Sequence, residues 1–414
     1  MALKGKHIVV GISGGIAAYK IPELIRSLVK AGAEVRVATT RNALHFVTEL
    51  TLQTVSGSRV YSDVFAAINE HATEHISLPE WADAMIVAPT TANVLGKMAA
   101  GIADDALTTT ICSCVARKPI VIAPAMNDKM WENPAVQKAI ETIRGWEQVS
   151  VIEPAVGPLA CGTEGKGRMP EIDILQEAIE DALTPKTLAG QRILITAGGT
   201  QEKIDPVRFI SNYSTGKMGF ALAHSCARRG AEVTLVCGAV TPTLRNPFGR
   251  ITRVDALSAQ AMYDVCTAHW PQMDAAILCA AVADFQPTEQ ATEKIKKESG
   301  ARSQESGVRS QESGWSLPLK ETPDIAKTLG ETKHAGQRLI GFALETQNEK
   351  KNALHKMERK HMDAIVLNSL RDKGAGFGTD TNVVTILQSD GTTTALPLQS
   401  KALISEEILR VLFS

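Results

Sequence analysis

Two stretches of this chain run from a β-branched apolar segment through a glycine-rich turn into a helical pattern: HIVVGISGGIAAYK from His7 to Lys20, and RILITAGGTQEKIDPVRFISNYSTGKMG from Arg192 to Gly219. A turn of this kind directs backbone N–H groups and the positive end of a helix dipole at one point, and glycine lets an anion approach the backbone. Two such openings predict two nucleotide-type sites. Short apolar runs follow each opening and alternate with helical patterns. In the first half they are Ile8–Val10, Val35–Ala38, Met85–Ala88, Ile120–Ile122 and Val149–Ile152, with helices expected over Ile21–Ala31 and Asn93–Ala99. Runs such as AMIVAP and PIVIAP are continuous rather than alternating, as in strands buried on both faces. This pattern predicts an α/β class, a parallel sheet covered by helices on both faces.

The pattern restarts after a polar Pro- and Gly-containing stretch, Leu183–Gln191, with runs at Ile193–Thr196, Glu232–Val236, Ala275–Cys279, Leu339–Phe342 and Ala364–Leu367. A last run, Val383–Leu387, followed by Asp390-Gly391, predicts a closing hairpin. The expected architecture is therefore two doubly wound, Rossmann-like α/β domains, residues 1–190 and 191–414. The chain's 414 residues and 44% hydrophobic content suffice for two cores. The tandem ESGARSQ, ESGVRSQ, ESG repeat at Glu298–Gly314 has one apolar position per seven residues. A coiled-coil seam needs two, so the segment reads as a disordered polar insertion.

Charge balance narrows the partners. With 44 basic and 45 acidic residues, nothing favours nucleic acid or an anionic membrane. Seven cysteines without a CxxC pair fit a reducing cytosol, and no stretch reaches the ~18 apolar residues of a membrane span. A cytoplasmic protein acting on small molecules is expected.

Several motifs carry competing readings. Gly11-Ile12-Ser13-Gly14-Gly15 matches a nucleophile elbow, but an elbow on the first strand leaves no upstream loop for an oxyanion hole. A phosphate turn with Ser13 as hydroxyl donor is simpler. His71-Ala72-Thr73-Glu74-His75 matches an inverted zinc-protease pattern, yet that motif needs one helix, and Ile76-Ser77-Leu78-Pro79 reads as a short extended piece ending at proline. His75 stands as an acid/base or orienting group, against a plain surface histidine. Ser214–Met218 lacks the first glycine and the Ser/Thr of a Walker A loop, and so reads as a helix start with local anion contacts. Asn127 lies in PAMNDKMW, after an expected strand, where it would hold a carboxylate or amide or cap a helix. EKIKK (293–297) and the pair Lys356/Lys360, four apart on one helix face, are either solvated charges or a polyphosphate clamp.

Together, SGGIAAYK, the His75 segment, APTTAN, PAMNDKMW, ACGTEGKGRM, KIDPVRFISNYSTGKMG, AAVADF, EKIKK and GFALET resemble, in order and across nearly the whole chain, the bacterial bifunctional phosphopantothenoylcysteine decarboxylase/phosphopantothenate–cysteine ligases of coenzyme A biosynthesis. The resemblance implies an N-terminal FMN-binding decarboxylase and a C-terminal CTP- and Mg2+-dependent ligase. In the first, flavin oxidation of the cysteine side chain to a thioaldehyde supplies the electron sink that decarboxylation needs. His75 would be the base, Asn127 would hold the substrate, and Cys161 would return a proton from a glycine-rich flap, Ala160–Met169. Ser13, Gly14, Thr39, Thr91 and Asn93 would contact FMN. In the ligase, an acyl-cytidylate would form and pass to cysteine. Lys294 would serve activation, and Asn212 would handle substrate and intermediate. Asp284, Thr322, Pro323, Asp324, Ile325, Phe342, Lys356 and Lys360 would join Lys294 at the nucleotide, with metal ligands undefined. The resemblance further implies a homo-oligomer: flavin-domain trimers joined through ligase-domain dimers into a dodecamer. A flavin prenyltransferase or a non-catalytic regulatory flavoprotein shares the first fold. The second domain and ACGTEGKGRM argue against the former, and His75 with Cys161 against the latter. The repeat insertion, directly after EKIKK, departs from the family's shorter connection.

Overall fold

The computed structural model describes residues 3–65, 74–158, 164–244, 246, 248–296, 316–345, 348–369, 376 and 378–413. Two compact units emerge, Met1–Pro185 with Arg245–Gly249, and Lys186–Leu244 with Arg250–Ser414. The repeat at 298–314, His71 and Cys161 lie outside the described residues.

The first unit contains strands β1 (His7–Ile12), β2 (Glu34–Thr39), β3 (Val60–Tyr61), β4 (Ala84–Thr90), β5 (Ile120–Pro124) and β6 (Val149–Val151). They form one parallel sheet in the order β3-β2-β1-β4-β5-β6. Helices α1 (Ile21–Lys30), α2 (Glu49–Ser56), α3 (Glu74–Trp81), α4 (Ala92–Ala100), α5 (Ala106–Cys114), α6 (Asp128–Trp131), α7 (Pro134–Arg144) and α8 (Ile172–Leu183) accompany it, with a short antiparallel hairpin of β7 (Ala155–Pro158) and β8 (Glu164–Arg168). Both faces of the sheet are covered, which explains the continuous apolar runs. Ile8, Val10 and Ile12 enter one core with Leu24, Leu28, Leu175 and Ile179. Val9 enters the other with Met85, Val87, Leu95 and Leu107. Gly11 faces that second core, where a Cβ would lie 2.6 Å from Leu107 Cδ1. Helix α1 buries Ile21, Leu24, Ile25 and Leu28, the i, i+3, i+4, i+7 stripe of a helix on a core. Each such side chain is worth about 1.5–3 kcal/mol of transfer free energy.

One local expectation is overturned. Residues 76–79 are not extended: α3 runs through Pro79 to Trp81, with His75 half-buried at its second position. Proline there removes the N–H that would bond the His75 carbonyl. Leu78 and Pro79 are the buried residues of the helix, and Leu78 joins Leu107, Ile111 and Cys114 in one core. Tertiary packing outweighs the missing bond.

The second unit is built on β9 (Arg192–Ala197), β10 (Gln201–Lys203), β11 (Phe209–Ser211), α9 (Lys217–Arg228), β12 (Glu232–Cys237), β13 (Ile251–Asp255), α10 (Ala259–His269), β14 (Ala275–Leu278), β15 (Phe285–Pro287), β16 (Leu319–Glu321), α11 (Ile325–Glu331), β17 (Arg338–Glu345), α12 (Glu349–Arg359), β18 (Ala364–Ser369), β19 (Thr381–Gln388), β20 (Thr393–Ser400) and α13 (Lys401–Leu412). Its main sheet follows the order β13-β12-β9-β14-β17-β18-β19-β20. It is parallel as far as β18 and antiparallel thereafter, and the expected closing hairpin is β19–β20. Helix α13 buries Ile404, Ile408, Leu409 and Leu412 in the core that also holds Phe220, Leu222 and Cys226 of α9. A polar seam joins the same two helices: Ser225 Oγ lies 2.8 Å from Ser405 Oγ, and Arg229 pairs with Glu406 at 2.9 Å.

Numbered within their own units, the six parallel strands of both sheets follow the order 3-2-1-4-5-6. In such sheets the connections leave in opposite directions from strands 1 and 4, which opens a crevice beyond their carboxyl ends. Those ends are β1/β4 in the first unit and β9/β14 in the second.

Candidate functional sites

At the β1/β4 crevice the GISGG turn is tied to the chain after β4. Ser13 is fully buried. Its Oγ donates to the Pro89 carbonyl at 2.7 Å and accepts from Thr91 N at 3.0 Å. A hydroxyl has one proton, so Ser13 braces the turn here and leaves anion contacts to backbone N–H groups. Gly14 packs on Asn42, where a Cβ would lie 2.5 Å from Asn42 Cβ. Thr39, paired with Ile12 across β1 and β2, is fully buried, and its Oγ1 has no hydrogen-bond partner. Thr91 occupies the N-cap position of α4 without a side-chain cap bond, and Asn93 on the first turn is exposed. Ala125 N donates to Thr90 O at 3.0 Å, which brings the PAMNDKMW loop alongside. Asn127 caps α6 by accepting from Lys129 N at 3.0 Å, as one of its two sequence readings held. The β2, β1, β4 and β5 ends thus gather Thr39, Ser13, Gly14, Thr91 and Asn127. His75 is presented from α3, a separate element packed against α5.

Hairpin β7–β8 is docked on the Asn127 loop. Met126 N donates to Gly167 O at 2.9 Å, and Lys166 pairs with Glu153 at 2.6 Å while lying over the Trp131 ring. Gly165 and Gly167 are needed for contact rather than flexibility: a Cβ on Gly167 would sit 2.2 Å from Met126 O.

The β9/β14 crevice opens into a cleft of about 630 Å³. It is lined by nine residues expected from the sequence: Asn212, Asp284, Thr322, Pro323, Asp324, Ile325, Phe342, Lys356 and Lys360. Asn212 Nδ2 donates to the carbonyls of Ala281 and Val282 at 3.2 and 3.3 Å. Asp324 caps α11 and pairs with Lys360 at 2.9 Å. Burial would raise the Asp324 carboxyl, but Lys360 and the Lys327 N–H outweigh it and hold it below its usual range. Lys356 Nζ donates to Phe342 O at 3.1 Å. Lys294 is exposed and does not line the cleft. Its neighbour Ile295 is gripped by Arg208 Nη2 at its carbonyl (2.8 Å) and by Asp205 at its N–H (3.2 Å). Arg208 and three backbone N–H groups hold the buried Asp205 carboxyl far below the usual range.

The second glycine turn differs from expectation. A Cβ on Gly198 (φ +87°) would meet Ala239 O at 2.4 Å, and one on Gly199 would meet Asn212 O at 3.0 Å. Protein backbone, not an anion, fills that space.

Two further lysines line the cleft: Lys217, from the Ser214–Met218 helix start, and Lys401, which the sequence reading did not name. They open α9 and α13 respectively. A cation at the positive end of a helix is unfavourable, and that violation was the available signal. Lys401 is held by the carbonyls of Gly376 (3.2 Å) and Thr379 (2.6 Å), and burial, with Lys217 nearby, lowers its pKa. Cys279, also in the cleft, is pushed up by burial to about 12, so its thiol stays protonated. Among the described residues no group of three His, Cys, Asp or Glu is placed to hold a metal ion, and no helix is long and apolar enough to cross a membrane.

Comparison with known proteins covers both halves of the chain. Residues 1–184 match the Flavoprotein family, and residues 188–414 match the DNA/pantothenate metabolism flavoprotein C-terminal domain. The coenzyme A biosynthesis bifunctional protein CoaBC of Bacillus subtilis (strain 168) is 44% identical over 99% of this chain and 97% of its own. The chain belongs to the CoaBC family. Another relative, a cysteine/cysteine sulfinic acid decarboxylase from an unknown prokaryotic organism, is 44% identical over 88% of this chain and 98% of its own. The crystal structure of a CoaBC C-terminal domain, 39% identical, covers 55% of this chain and 96% of that one, with a TM-score of 0.44.

Proposed function

We propose a division of labour in which residues 1–190 carry the decarboxylase site at the β1/β4 crevice and residues 191–414 the ligase site at the β9/β14 crevice. The chain is a bifunctional enzyme of coenzyme A biosynthesis, with a flavoprotein decarboxylase half and a ligase half. Full-length similarity to CoaBC, with both family models end to end, is the observation that carries this conclusion.

FMN is the flavin of the first site. The orphaned, buried Thr39 hydroxyl at the β2 end fits a polar ligand atom, and the glycine turn braced by Ser13 offers backbone N–H groups to a single phosphate. Held by the Ser13-braced turn and the Thr39 hydroxyl, FMN would supply reversible hydride acceptance toward the cysteine moiety of 4'-phosphopantothenoylcysteine. His75 removes the thiol proton in the oxidative half. Asn127, fixed at the start of α6 by its bond to Lys129 N, offers its amide to the carboxylate or amide of the substrate. Cys161 returns the proton that completes 4'-phosphopantetheine.

In the second site CTP and 4'-phosphopantothenate meet in the cleft. The substrate carboxylate attacks the α-phosphorus, pyrophosphate leaves, and the acyl-cytidylate passes its acyl group to the cysteine amine. Lys294 stabilises charge during activation, and Lys356 and Lys360 serve the nucleotide. Asn212, anchored through its amide nitrogen, keeps its carbonyl oxygen for the substrate or intermediate. Mg2+ would enter on the triphosphate, since it keeps waters and phosphates in its shell and needs few protein ligands. The assembly is a homo-oligomer, with trimeric flavin domains and dimeric ligase domains.

The two-site reading is tested by separation of function. His75→Asn should abolish CO2 release while CTP-dependent ligation continues, and Lys294→Gln should do the reverse. Loss of both activities in either folded variant would refute it. CO2 release from free cysteine, but not from phosphopantothenoylcysteine, would reassign the first site.

A further inference from the structure

The wall of the ligase cleft at residues 280–284 is irregular chain between β14 and β15, so its backbone polar groups have no ladder to join. Side chains and neighbouring turns replace the ladder. Ala280 N donates to Thr196 Oγ1 at 3.0 Å, and Ala281 N to Gly198 O at 2.8 Å. Ala281 O accepts from Thr200 N at 3.4 Å. Ala283 N donates to Thr200 Oγ1 at 3.0 Å, and Ala283 O accepts from Thr322 Oγ1 at 2.6 Å. Thr200 therefore brackets Val282, with its main chain on one side and its hydroxyl on the other, one residue before Asp284.

Thr200 itself does not line the cleft. It is fully buried, and Ala283 is nearly so, so water cannot replace the hydroxyl as acceptor for the Ala283 N–H. Its own place is set by the close-packed Gly198-Gly199 turn, which forms bridges to Ala239 and Ala281. We infer that Thr200 is a positioning residue of the ligation reaction, which acts through Ala283 to hold Asp284 where the nucleotide binds. The glycine turn of the second opening thus serves to aim a threonine at the loop that faces the ligand.

The inference rests on the assignment of this cleft to CTP, and the experiment separates the two. Steady-state ligation and calorimetric CTP binding are measured on full-length Thr200→Val, Thr200→Ser and Asp284→Asn. Thr200→Val keeps the side-chain shape but strands the Ala283 N–H. Relief of that stranded donor shifts the loop away from its present position, CTP must then bind against the shift, and the expected rise in KM and Kd for CTP is about tenfold. The kcat should stay within about threefold of the parent, because the loop affects binding more than the chemical step. Thr200→Ser should restore parental KM, and CO2 release by the other unit should be unchanged in all three variants. If Asp284→Asn leaves CTP binding intact, the nucleotide role of Asp284 is wrong and the inference falls with it. If Asp284→Asn weakens CTP binding while Thr200→Val does not, the site reading stands and the inference alone is overturned. Equal losses in kcat and affinity that serine fails to rescue would make Thr200 a purely structural residue, which also overturns it.

Discussion

Gly167→Ala tests how the hairpin β7–β8 governs the decarboxylase site. The added Cβ would lie 2.2 Å from Met126 O and 3.4 Å from the carbonyl carbon of Asn127. To restore even a 3.0 Å contact the hairpin and the Asn127 loop must part by 3.0 − 2.2 = 0.8 Å. The Met126 N to Gly167 O bond, now 2.9 Å, would then stretch beyond hydrogen-bonding range. The clash is with backbone, so no rotamer relieves it. Overpacking of this kind costs about 1–3 kcal/mol, and the lost bond adds about 1 kcal/mol. If about half of that appears as misplacement of Asn127, CO2 release from phosphopantothenoylcysteine falls about tenfold. Ligation, carried by the other unit, serves as the internal control and should keep its kcat/KM. CO2 release within about twofold of the parent, with the variant folded and Tm unchanged, would show that the hairpin's seat on Met126 does not set the site, since a tenfold loss corresponds to only about 1.4 kcal/mol.

Thr39→Val should act in opposite directions on stability and binding. Removing an unsatisfied buried hydroxyl should raise the stability of flavin-free protein by about 1 kcal/mol, while FMN affinity falls; an unchanged affinity would remove Thr39 from the flavin contacts. The Asp324–Lys360 pair carries a pH signature. The carboxyl pKa is depressed in the fold, so the pair stabilises above the ordinary carboxylate pKa of about 3.9, and that contribution is lost as pH falls through the folded value. Lys360→Met removes the counter-charge but not the burial, so the Asp324 pKa should rise in a carbon-13 NMR titration; an unmoved pKa would mean that the Lys327 N–H and Arg359 set it. Deletion of Glu298–Gly314 should leave ligase kcat/KM nearly unchanged, and a large loss would show that the repeat takes part in ligation.

Much of the architecture was legible because strands covered on both faces cannot hide their hydrophobicity. Val9 and Val10 enter opposite cores, and so the run in which they lie reads as a buried strand. Pro79 misled because its local rule, to end a helix, was overruled by the burial of Leu78 and Pro79. The GISGG serine was legible as a turn residue but not as a brace, because the Pro89 carbonyl that takes its proton lies 76 residues away. Cleft residues from Asn212 to Lys360 carry no shared local signal. They converge because the loops after β9 and β14, the second half of β17, and the ends of α11 and α12 meet at one crevice. Only resemblance to a known family joined them beforehand. Lys401 shows the reverse case, in which a broken local rule at a helix start marked a place in the site.

The seam between α9 and α13 bears on how the protein is made. Helix α9 follows β9, β10 and β11 near the start of the second unit, and its partner α13 lies 180 residues later at the Ser225–Ser405 contact. Until α13 has left the ribosome, Phe220, Leu222 and Cys226 lack part of their covering, whereas the first unit's core has α8 by Leu183 and its last packed side chain, Phe248, well before α13. Domains fold as units during synthesis, and contacts distant in sequence form late. The flavoprotein half can therefore finish folding while its partner is still being translated. The ligase half must wait until α13 has emerged, and a chain cut before Lys401 would hold one covered core and one open core.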